Sequence, residues 1–136
     1  MDADEPMIDA DARRVIARAI MRLRERVVWK PGKGTSHLVR RKAMGHLAPD
    51  ASYEEYESLV QRVLANSLAH VYAYRYGETT YGVVLGRDSG ACWLVMFGLD
   101  GVMETAFPPD DAEGYTRSKR MRLIGIVQEG VDAAFG

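Results

Sequence analysis

The hydrophobic pattern of this chain changes period once, near Val71, and that change limits the fold to helices followed by an antiparallel sheet. Upstream of it, Ile8, Ala12, Val15, Ile16, Ala19, Ile20, Leu23 and Val27 recur at spacings of three and four, which predicts an amphipathic helix over 7–28. Asp4 and Glu5 suit the start of that helix, where negative charge meets the positive end of its dipole, and Pro6 suits its first turn. Pro31, Gly32 and Gly34 break it. A shorter helix is expected over 36–47, capped by Thr35 or Ser36. Ser52 and Glu55 form a capping box for a third helix, which is expected to run to about residue 69 and to bury Tyr56, Leu59, Val60, Val63, Leu64 and Leu68.

From residue 71 the alternation is strand-like. Tyr72, Tyr74 and Tyr76 oppose Val71, Ala73 and Arg75, and strands are expected over 71–76, 79–86, 91–98 and 102–107. Gly77-Glu78, Asp88-Ser89-Gly90 and Asp100-Gly101 mark the turns, and connections this short force antiparallel pairing. Pro108-Pro109 ends the sheet. In the tail, Met121, Ile124, Val127, Val131 and Ala134 suggest a helix that Gly125 and Gly130 weaken. The expected class is therefore α+β: N-terminal helices packed on a small curved four-stranded meander, with an uncertain C-terminal helix. The 136 residues fit one domain.

The net charge of −1 conceals segregation. Residues 1–11 hold five acids and no base, whereas 13–46 hold eleven bases against Glu25 alone. A block with a net +10 raises the expectation of a polyanionic partner, although a solvated Arg-rich helix paired with acids elsewhere would look the same. Arg14, Arg18, Arg22 and Arg26 stand four apart, as a stripe beside the apolar face of the first helix. The acidic N-terminus does not resemble a signal peptide, no apolar run is long enough for a membrane helix, and Cys92 is the lone cysteine. A cytoplasmic location is expected, one that an exported toxin would share.

Several chemistries lack their motifs. Gly32-Lys33-Gly34-Thr35 is not a phosphate-binding P-loop, no dinucleotide fingerprint or serine elbow is present, and His37, His46 and His70 with Cys92 have no zinc spacing. Neither a metal nor a cofactor is expected. The second helix remains. If it reaches residue 47, His37 and Arg41 share one face and Lys42 and His46 another, with Lys33 close by. Metal-free RNA cleavage uses these residue types, an imidazole to move protons and a cation to steady the phosphorane. A surface helix with two ordinary histidines is the simpler reading on spacing alone. His70 is read as structural, at a helix C-terminus, and the tyrosines as half-buried packing.

The order of elements adds a resemblance. A basic helix with Lys42 and His46, a helix opening Ser52-Tyr53-Glu54-Glu55-Tyr56, a meander, and a last hairpin with Asp100, Gly101, Met103, Thr105, Phe107 and Pro109 resemble the barnase–EndoU–colicin–RelE-like ribonucleases, colicin D-like toxin domains above all. The resemblance covers about residues 36–115. It implies a metal-independent endoribonuclease that leaves a 2′,3′-cyclic phosphate, with RNA, transfer RNA included, as substrate and an acidic antitoxin or immunity protein as partner. It implies His46, Lys42, Thr105 and His37 as catalytic residues, and Arg41, Arg40, Lys33 and Tyr115 as substrate-binding ones. Two other classes stay open: a non-enzymatic nucleic-acid-binding module using the Arg stripe, and a protein-interaction module such as an immunity or phage accessory protein.

Overall fold

Helix gives way to sheet at His70, one residue before the change of period. The computed structural model describes residues 9–130. In chain order it holds α1 (Asp9–Glu25), α2 (Lys33–Ala43), α3 (Tyr53–Ala65), β1 (His70–Tyr76), β2 (Thr79–Asp88), β3 (Ala91–Gly98), β4 (Met103–Phe107), α4 (Ala112–Ser118) and β5 (Arg122–Ile126). The expected helical positions 7 and 8, and Val131 and Ala134 of the tail, lie outside the described residues. No described helix is long and apolar enough to cross a membrane.

α1 buries Ala12, Ile16, Ala19, Ile20 and Leu23, as its spacing requires. It stops at Glu25, three residues short of expectation. Gln61 Nε2 donates to the carbonyls of Leu23 and Arg24, and so satisfies end groups that a further turn would have used. The next residues pair with the sheet instead: Met103 N–H donates to the Val28 carbonyl (2.7 Å), and Trp29 forms a parallel bridge with Met103. The β-branched pair Val27-Val28 suits that extended path better than a helix.

α2 begins earlier than expected and is capped by neither Thr35 nor Ser36. Gly32, with φ of 77°, turns the chain into it. It also ends earlier, at Ala43, because Gly45 takes a left-handed conformation (φ 76°). His46 therefore lies beyond the helix, and the expected shared helical face of Lys42 and His46 does not form. α3 opens as expected, with Glu55 N–H donating to Ser52 Oγ (3.0 Å), and buries Tyr56, Leu59, Val60, Val63 and Leu64. It ends at Ala65 rather than 69, where Asn66 starts a turn by accepting from Leu68 N–H. Leu68, expected in the core, is 71% exposed for that reason, and His70 opens a strand instead of closing a helix.

The sheet has five strands in the order β4-β3-β2-β1-β5, and every neighbouring pair is antiparallel. The four expected strands form the meander. The fifth corrects part of the tail reading: 122–126 is a strand along the outer edge of β1, preceded by the short α4, while residues 127–130 are helical as the tail suggested. Ile124 is buried and Leu123 is 53% exposed, so the alternation is that of a strand. Ile124 and Val127, three apart, fit a helical period rather than a strand; the open edge of β1 takes 122–126 into the sheet, and the helical stretch starts only at Val127.

One face of the sheet (Val71, Ala73, Val84, Val95, Phe97, Met103 and Ala106) shares a core with α1, α2 and α3. The register places Tyr72, Leu94, Thr105 and Phe107 on the other face. α4 lies over that face, where Tyr115 meets Phe107 edge to face at 5.3 Å. Tyr72 and Tyr74 are half-buried, as the packing reading expects, while Tyr76 is exposed.

Candidate active site

α2 is held close against β4. Gly34 is buried where an added Cβ would meet Trp29 and Tyr53, and Leu38 anchors the middle of the helix in the core. Beneath it, Trp29 stacks on Tyr56 at 5.4 Å and its indole N–H donates to Glu57, while the Tyr56 hydroxyl donates to the Ala106 carbonyl (2.6 Å). This scaffold fixes what the polar side of α2 presents.

Arg41 is the buried charge of the site, with 5% exposure. Its guanidinium lies 5.6 Å from the centroid of the Phe107 ring, and Nη2 reaches Met44 Sδ at 3.7 Å. Nε has no hydrogen-bond partner, and no carboxylate among the described residues forms an ion pair with the side chain. Burial lowers its pKa, with Arg40 adding to the effect and Tyr56 opposing it.

His46 is placed by its backbone N–H, which donates to the Arg41 carbonyl (2.9 Å), and by edge-on contact with Trp93 at 6.5 Å. Its Nδ1 is buried without a partner. Burial is the main influence holding its pKa below the ordinary histidine value; the Arg41 charge adds to this and Asp110 opposes it.

Arg40, Arg41 and His46 line a cleft of about 610 Å³ whose far wall is the segment from Phe107 to Asp111 together with Tyr115 and Ser118 of α4. Four of the eight expected site residues thus meet: His46, Arg41, Arg40 and Tyr115. The other four stand outside. His37 and Lys33 lie toward the start of α2, His37 with its ring 6.1 Å from Trp29 and in contact with the Glu104 backbone. Lys42 and Thr105 do not line the cleft; Thr105 pairs with Met96 in the sheet. His37 Nε2, like Arg41 Nε and His46 Nδ1, is buried and unpartnered.

Phe107, Asp110 and Lys119 belong to the site's surroundings, and sequence reasoning gave them no role there. Lys119 Nζ lies 5.7 Å from the Tyr115 ring centroid. Asp111 could have been found, since its carboxylate caps α4 by accepting from Gly114 N–H (3.1 Å). Nothing in the sequence pattern marks Lys119. Among the described residues no three His, Cys, Asp or Glu side chains come together as a metal-ligand set. Chemically, the cleft offers a fixed cation, an imidazole biased toward its neutral form, a phenol and a second arginine, a set able to hold an anion and move a proton. The chain matches no protein-family model, no curated protein and no solved structure.

Proposed function

We propose that the protein is a metal-independent endoribonuclease whose active site is the cleft between α2, β4 and α4. One observation carries this reading: Arg41 is a buried guanidinium with no carboxylate partner among the described residues, facing a cleft together with a histidine. An unpaired buried charge and unpartnered buried nitrogens are costly to a fold and concentrate where a ligand completes them. A phosphodiester supplies the missing negative charge and the acceptor oxygens. The order of elements resembling the colicin D-like ribonucleases supports the same conclusion.

On this reading neutral His46 takes the proton of the ribose 2′-hydroxyl, and the 2′-oxygen attacks phosphorus. Arg41 and Arg40 balance the charge that builds on the phosphorane. The bond from phosphorus to the 5′-oxygen breaks, the departing oxygen takes a proton from the Tyr115 hydroxyl, and a 2′,3′-cyclic phosphate remains. His37, Lys42 and Thr105 are given no step. The test is cleavage of RNA by the purified protein in EDTA, with the ends mapped. The expected result is cyclic-phosphate ends and a loss of about 10²–10⁴-fold in His46→Ala, the usual cost of removing a general base. Activity that needs a divalent ion, survives in His46→Ala, or leaves a 3′-hydroxyl would overturn the proposal.

A further inference from the structure

Outside the cleft, the solvent face of α1 is a strongly basic surface. Arg14, Arg18, Arg22 and Arg26 are all exposed, and Arg26 N–H still donates to the Arg22 carbonyl (3.0 Å), so the four-residue spacing holds through the helix end. At 1.5 Å per residue the stripe is about 18 Å long, with a cation every 6 Å or so. Its acid partners among the described residues are few: Arg14 meets Asp11 at 3.6 Å in a solvated pair, and Arg22 donates only to the Asp100 carbonyl (3.5 Å). These arginines are therefore not the pairing partners of acids elsewhere in the described fold.

The stripe also leads somewhere. Arg22 lies against the turn that opens β4. Arg26 and Lys30 then line one hollow with Glu25, Glu57 and the start of α2, where Lys30 pairs with Glu104 of β4. α2 carries Lys33, Arg40 and Arg41 on to the cleft at the far end of β4. From α1 to the cleft the route follows β4 from its first residue to its last.

We infer that the α1 stripe is a second phosphate-binding surface, which holds the backbone of an RNA strand continuing several nucleotides beyond the cleft. The preferred substrate class is then polymeric RNA rather than short oligonucleotides. This rests on RNA being the ligand of the cleft, but not on the cleavage step. A protein partner is disfavoured by the surface itself. Protein interfaces centre on apolar anchors, and none of the exposed large apolar side chains among the described residues lies on α1.

The test compares the intact chain with Arg14→Gln/Arg18→Gln and with Arg75→Gln/Arg87→Gln, which removes the same charge from the sheet. Affinity for a 2′-O-methylated RNA 20-mer, which cannot be cleaved, is measured by fluorescence anisotropy across a salt series, and cleavage of a dinucleotide is measured in parallel. For a single strand, every phosphate that the protein ceases to neutralise lowers the slope of log affinity against log salt by about 0.7. The stripe variant should lose roughly 1.4 of that slope and keep the dinucleotide rate, while the sheet variant should keep both. Equal losses in the two variants, or no loss in the stripe variant, would overturn the inference. If the intact chain cleaves neither the dinucleotide nor unmodified polymeric RNA in EDTA but the stripe variant alone loses slope, the cleavage proposal fails and the stripe stands.

Discussion

Arg41, a buried guanidinium, and the half-buried ring of Phe107 form a cation–π pair, 5.6 Å from guanidinium carbon to ring centroid, and no carboxylate among the described residues balances the charge. The pair contributes about 1–2 kcal/mol when desolvated, less than the several kcal/mol that burying an ion costs. Arg41→Met keeps an unbranched apolar stem and removes the guanidinium with its charge. It should be at least as stable as the parent in urea unfolding, yet lose about 10²–10³-fold in cleavage, the usual effect of removing a group that stabilises developing charge. A variant that loses stability and keeps its rate would assign Arg41 to the fold alone.

Acid should affect rate and stability in the same direction. His46 and His37 both have lowered pKa values. Burial is the chief cause in each, joined at His46 by Arg41 and at His37 by Lys33, Arg41 and Arg40; Asp110 opposes at the first and the Glu104 backbone at the second. Neutral imidazole accepts the proton, so the acidic limb of kcat/KM should fall below the ordinary histidine value of about 6.5. Asp110→Asn removes the opposing carboxylate and should move that limb lower still. Between the lowered folded values and about 6.5 the unfolded chain binds more protons, so unfolding free energy should drop as pH falls through that window. A limb above 6.5, or a flat stability profile there, would contradict the assignment.

Gly34→Ala separates helix propensity from packing. In an open helix the change would stabilise by about 1 kcal/mol. Here the new methyl would sit 2.8 Å from the Trp29 ring and against the Tyr53 hydroxyl. Overpacking typically costs about 1–3 kcal/mol, and α2 carries Arg41, to whose carbonyl the His46 N–H is bonded. The expected outcome is lower stability by urea unfolding together with a reduced rate; a stabilised, fully active variant would show that the α2 contact is loose.

Tyr56→Phe tests the support beneath the cleft. The Tyr56 hydroxyl is fully buried and donates to the Ala106 carbonyl at 2.6 Å, one residue before Phe107, and burial pushes its pKa up. Removing it leaves that carbonyl with one partner fewer and should cost about 1–2 kcal/mol by denaturant unfolding. A loss below a few tenths of a kcal/mol would show that water or another donor takes its place.

Much of the fold was legible because period is a local property. Ala91–Gly98 is a strand over the range expected for one, and Ser52 caps α3 as its spacing with Glu55 indicated. What was missed depended on partners distant in sequence. α1 ends where Gln61 meets it, Val28 leaves the helical pattern to pair with Met103, and 122–126 becomes a strand because β1 has a free edge. The site was half legible for a similar reason. Residue types on α2 named Arg40, Arg41 and His46, but Gly45 ends the helix and turns His46 away from the face shared with Lys42. That α4 folds Tyr115 against Phe107 is a tertiary fact with no local signal beyond the Asp111 cap.

The position of β5 bears on the order in which the molecule assembles. Each hairpin of the meander joins neighbours along the chain, whereas β5 reaches β1 from the far side of three intervening strands and a helix, and Arg13 of α1 then bonds the Ile124 carbonyl (2.7 Å). Contacts of such separation form late, because the chain must first close a long loop. Until they do, β1 presents a row of unpaired backbone groups that a second molecule can extend. A chain nicked between Ser118 and Arg122 would keep every side chain of the cleft on one fragment, and its failure would be aggregation through β1 rather than loss of catalytic groups.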